Sequence, residues 1–68
     1  MADRLENRLR EARAAAGWTQ AELARRVGVS RKTINTVENG VFVPSTVLAL
    51  KLAQALGVPV EGLFSLVE

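Results

Sequence analysis

The 68-residue chain contains no cysteine, no histidine and no tyrosine, and only one tryptophan, two phenylalanines and two prolines. Without thiolate or imidazole there is no disulfide, no ordinary structural zinc site, and neither the commonest nucleophile nor the commonest general base. So short a chain can hardly also wall a substrate pocket of several hundred Å³, so no enzyme activity, no metal and no cofactor are expected. Trp18, an aromatic without aromatic neighbours in the sequence, makes no stacking platform for single strands. No apolar run approaches 18 residues, and the N-terminal MADRLENRLR is charged rather than signal-like, which points away from membranes and export and toward the cytoplasm. With nothing to staple it, the chain needs close packing of short elements, and one all-α domain over 1–68 is the economical solution.

What is present is charge, unevenly distributed. Nine Lys and Arg oppose seven Asp and Glu, a net +2. The first forty residues carry an excess of three positive charges, and the remainder, with Lys51 against Glu61 and Glu68, is slightly acidic. Such asymmetry points toward a polyanionic partner.

Glycines 17, 28, 40 and 57 divide the chain into helix-length segments, each followed by a start signal. Asp3 and Glu6 read as a capping box opening a first helix, with Leu5, Leu9, Ala12 and Ala16 as its apolar stripe. Thr19 and Glu22 make a second capping box, with Trp18 stapled to Leu23, for a helix over about 20–26. Ser30 caps a third helix over about 31–39, with Val29 and Ile34 as its staple. Asn39-Gly40 stops it, and Val41-Phe42-Val43-Pro44 reads as an extended connector. Ser45 caps a fourth helix that buries Leu48, Leu52, Ala55 and Leu56, and Pro59 opens a short fifth through about Leu63-Phe64. The expected fold is a compact bundle of five short helices.

Residues 20–39, QAELARRVGVSRKTINTVEN, match a helix-turn-helix unit at several offsets at once. Ala24 is small where two helices must cross, and Gly28 supplies the positive φ of a tight turn. Leu23, Val27, Ile34 and Val37 face inward. Arg31, Lys32, Asn35 and Thr36 form the polar face of the third helix, which taken alone is an ordinary solvated surface.

The stretch TQAELARRVGVSRKTINTVENG resembles the Xre family of Cro- and phage-repressor-type helix-turn-helix proteins, and PSTVLALKLAQALGV extends the likeness through the fourth helix. The resemblance implies a sequence-specific transcriptional regulator, a repressor, that binds double-stranded DNA by inserting its third helix in the major groove. It implies base contacts from Arg31, Lys32 and Thr36, flanked by Ser30 and Thr33, and phosphate contacts from Gln20, Asn39, Arg10 and Asn35. Arg and Lys at such positions favour guanine O6 and N7. Arg13 and Glu38 are implied as an internal ion pair joining the first and third helices. A two-fold operator read by a homodimer is implied as well. Leu63, Phe64, Leu66 and Val67 are assigned to its interface, with burial of Phe64 in the monomer core the alternative. Gly62 departs from the family, which often has a larger residue there. Two further readings stay open: a protein-interaction module such as an antitoxin or coactivator adaptor, and the DNA-binding part of a larger effector-responsive regulator.

Overall fold

A computed structural model describes residues 4–67. The element order is β1 (Arg4–Asn7), α1 (Leu9–Ala15), α2 (Gln20–Val27), α3 (Arg31–Glu38), α4 (Thr46–Leu56), α5 (Val60–Leu63) and β2 (Phe64–Val67). Five helices follow in the expected order, the last four close to where the punctuation puts them, and a small two-stranded ribbon joins residues 4–7 to 64–67. Among the described residues no helix is long and apolar enough to cross a membrane.

Side-chain caps start the three central helices. The hydroxyl oxygens of Thr19, Ser30 and Ser45 accept from the backbone N–H groups of Glu22, Thr33 and Leu48 at 3.0–3.1 Å, satisfying donors that a helix start otherwise leaves orphaned. Gly28 ends α2 at φ +76°, in the left-handed region that a Cβ disfavours. That turn lets α3 cross α2, and Ala24 is buried at the crossing. Leu9, Leu23, Ile34, Val37, Leu52 and Leu63 are the largest fully buried side chains, contributed by all five helices. Trp18 packs on the edge of this core, with the Arg26 guanidinium 4.0 Å above its ring.

The first helix begins later than expected. Asp3 lies outside the described residues, and Glu6, the other half of the expected capping box, sits in β1. The N-cap, Arg8, has no side-chain cap, and Asn7 just before it holds the helix start instead: its Oδ1 accepts from Leu9 N–H at 3.2 Å, and its Nδ2 donates to the Val37 carbonyl at 2.9 Å. Leu5 is therefore a strand residue and Ala16, the C-cap of α1, is exposed, so neither extends the helical stripe.

The tail explains this. β2 runs antiparallel to β1, with Leu5 opposite Leu66 and Asn7 opposite Phe64. Backbone pairing with a partner some sixty positions away holds residues 4–7 extended, overriding a local helix signal. The junction is fastened by Arg8, whose N–H donates to the Leu63 carbonyl at 2.8 Å while its guanidinium donates to the carbonyls of Gly62 and Glu61. Leu63, assigned from sequence to a dimer surface, is fully buried inside the chain and offers nothing to a second subunit. Phe64 is half-buried against the core, Val67 is intermediate, and Leu66 is 70% exposed.

Replacing Leu63 with alanine should therefore cost about 3 kcal/mol, in the range for emptying a buried leucine site. Leu66→Ala should cost at most about 0.5 kcal/mol. Urea denaturation of both variants checks this, and equal losses would contradict the docking of α5.

Candidate nucleic-acid interface

Helix α3 has two faces. Ile34 and Val37 are fully buried, which fixes its rotation about its own axis, and Arg31, Lys32 and Asn35 consequently point outward and are exposed. Thr33 and Thr36 lie at the margin, half-buried.

The hydroxyls on this helix are largely engaged within it. Ser30 Oγ, already the cap acceptor, lies 3.0 Å from Thr33 Oγ1, and Thr36 Oγ1 donates to the Thr33 carbonyl at 2.9 Å. Arg31 and Lys32 differ. Neither has a carboxylate within ion-pairing distance among the described residues. Other arginines of the first forty residues have a carboxylate partner: Arg25 and Arg26 share Glu22, each at 2.6 Å. Hydrogen bonds from Arg25 and then Arg26 hold the Glu22 carboxyl below its ordinary range, slightly opposed by burial.

At the other end of α3 is a polar network centred on Glu38, whose side chain is 0% exposed. Arg13 donates to it from Nε at 2.7 Å and from Nη2 at 3.2 Å, Gln20 from Nε2 at 3.0 Å and Arg10 from Nε at 3.3 Å. Arg13 also donates to the Trp18 carbonyl at 2.9 Å, so it grips the α1–α2 loop as well. One carboxylate thus joins α1, α2 and α3.

Four residues assigned from sequence to phosphate meet in this network. Gln20 Nε2 donates to Asn35 Oδ1 at 3.2 Å as well as to Glu38. Asn39 accepts from Arg10 Nη2 at 2.9 Å and donates to Asn35 at 3.3 Å. The donors of Gln20 and the amide of Asn39 are therefore occupied within the chain, whereas Asn35 Nδ2 and part of the exposed Arg10 guanidinium face outward unclaimed. Sequence reasoning missed Asn7 and the Gln20 bridge. Both join residues far apart in the chain, and no local pattern announces them.

Burial pushes the Glu38 carboxyl up, but hydrogen bonds from Arg13, Gln20 and Arg10 together with the Arg13 charge outweigh it, leaving the group below the ordinary carboxylate range. The same contact, foremost the Glu38 hydrogen bond, raises Arg13.

Comparison with known proteins bears on this geometry. A family model described as helix-turn-helix matches residues 9–63. The HTH-type transcriptional regulator YgzD of Bacillus subtilis, itself uncharacterized, is 41% identical over 64 residues, covering 94% of this chain and 97% of that protein. An uncharacterized HTH-type transcriptional regulator of Methanothermobacter thermautotrophicus is 49% identical over 61 residues, 88% of each chain. Among solved structures, the restriction-modification controller protein C.AhdI of Aeromonas hydrophila superposes with a TM-score of 0.77 at 42% identity, covering 81% of this chain and 83% of that one.

The lowered Glu38 pKa has a definite sign in stability. Because the folded value lies below the unfolded one, the stabilisation is present above about pH 4.3 and is lost as pH falls through the folded value. Glu38→Gln should cost roughly 3 kcal/mol at pH 7, as expected for a buried pair losing one partner, and its disadvantage should shrink at pH 3. Urea midpoints at the two pH values check this; a constant gap would contradict the charge-based role.

Proposed function

The chain belongs to the helix-turn-helix family of transcriptional regulators, DNA-binding proteins and not enzymes, and from that premise we propose that it reads a specific sequence in the major groove of double-stranded DNA with α3. The observation that carries this reading is the pair Arg31 and Lys32, exposed and free of carboxylates among the described residues on a helix whose opposite face is locked in the core. A guanidinium can donate twice to guanine O6 and N7, and a lysine ammonium also donates there. Thr36, Ser30 and Thr33 shape the surface around these two cations and present hydroxyl oxygens as acceptors.

Phosphate anchoring divides between side chain and backbone. Asn35 Nδ2 and the outer N–H groups of Arg10 donate directly. Gln20 contributes its backbone N–H at the start of α2, where helix-end donors and the macrodipole favour an anion, while its side chain steadies Glu38. Asn39 acts through Arg10, whose Nη2 it holds at 2.9 Å. As a regulator with one reading head, the protein acts as a cytoplasmic repressor, occupying two half-sites of a two-fold operator as a homodimer.

The dimer surface is the ribbon face carrying Phe64 and Leu66, with Val67 on the other face at the strand's end. Leu5 shares that face, and an apolar groove of about 270 Å³ continues it past Val43, Pro44 and Leu50. The groove lining carries no charged side chain, so two copies can meet there without like-charge repulsion.

Arg31→Ala and Lys32→Ala should each lose about 1–3 kcal/mol on the selected site and relax base preference, whereas Asn35→Ala weakens binding to all sequences alike. Titrations on selected and random duplexes decide this. Equal losses on both for Arg31→Ala and Lys32→Ala would overturn base reading, and a flat salt response would favour a protein partner. For the dimer, Leu66→Asp is the informative variant, because Phe64 also supports the core. Sedimentation should give a dimer that Leu66→Asp converts to monomer; identical masses for both proteins would remove the dimer surface.

A further inference from the structure

Beside α3 lies a surface groove of about 350 Å³ lined by Ser30, Lys32, Thr33, Thr36, Val41 and Phe42. Its two walls differ in chemistry. One carries the hydroxyls and the ammonium of the reading helix, and the other is two apolar side chains of the connector that follows it. Val41 is 78% exposed and Phe42 46%, two adjacent apolar side chains left open to solvent among the described residues. The connector is not loose: the N–H groups of Val41 and Phe42 both donate to the Thr36 carbonyl, at 3.0 and 3.2 Å. Phe42 also lines the cleft between the α2–α3 turn and α4. The apolar wall is therefore held at a set distance from Lys32 and Thr36.

We infer that this groove binds the 5-methyl group of a thymine next to the guanine that Lys32 contacts, making Val41 and Phe42 specificity-determining residues. This rests on major-groove binding by α3. Four of the six lining residues belong to the reading surface itself, so a base edge reached by Lys32 or Thr36 must pass along the Val41–Phe42 wall. Of the groups that bases display in the major groove, the thymine methyl is the apolar one. The half-buried Thr33 and Thr36, their hydroxyls bonded within the helix, complete the lining. Lys32 at the rim supplies attraction to the DNA as a whole.

The test replaces each thymine of a library-selected duplex, one at a time, by uracil, which removes only the methyl. Full-length protein should lose about fourfold in affinity at one thymine per half-site, the worth of one buried methyl group, and nothing elsewhere. Val41→Ser and Phe42→Ala should bind the thymine and uracil duplexes alike at that position. Specific, salt-dependent binding that is indifferent to every uracil replacement would overturn the inference and leave DNA reading intact. A thymine preference that survives both substitutions would also overturn it, assigning the methyl to α3 alone. Failure to select any sequence would instead overturn the DNA-binding reading on which it stands.

Discussion

Glu38 sits at the end of α3 with its carboxylate closed off from solvent, and α1 and α2 each supply side chains that donate to it. A buried carboxylate is tolerable only when its lone pairs are met, and here they are met by arginines 10 and 13 and by Gln20. Such a cluster adds little net stability, because desolvation offsets attraction. Its consequence is geometric. Three short helices that apolar packing alone could hold at several angles are registered at the one where all the donors reach a single acceptor.

The same pairing reshapes the electrostatics. A net charge of +2 is poor material for attracting a polyanion. Glu22 takes up Arg25 and Arg26, and Glu38 takes up Arg13 with part of Arg10. Arg31 and Lys32, adjacent at the start of α3, are the cations of the helix-turn-helix unit with no carboxylate partner among the described residues. A modest total thus becomes a local positive field at the outward face of one helix, which is the form that steering and groove binding use.

Much of this was legible in the amino-acid sequence because the signals are local. Thr19, Ser30 and Ser45 announce helix starts by chemistry acting over three residues, and Gly28 announces a turn through its own φ. The β1–β2 ribbon was illegible for the opposite reason. Its two four-residue segments have no stability alone, and Asp3 with Glu6 supplies a plausible helix start in their place. Only contact with a segment at the far end of the chain decides between them. Leu63 was misassigned with it: an apolar run at a chain end looks unpartnered until the ribbon turns it inward. In the candidate site, residue identities were legible, but their division of labour was not. Gln20 looks like a phosphate ligand by position, and its side chain proves to be a strut for Glu38.

The central claim is that the surface held in place by Glu38, from the start of α2 across α3 to the connector, is what meets DNA. Titrating isotope-labelled protein with its selected duplex and following backbone amide and arginine side-chain resonances tests it most directly. The largest shifts should fall on residues 20–21, 30–36 and 41–42, with the Arg13 Nε–H signal preserved as evidence that its bond to Glu38 stays intact. Shifts concentrated instead around Arg25, Arg26 and Lys51, with α3 unmoved, would contradict it.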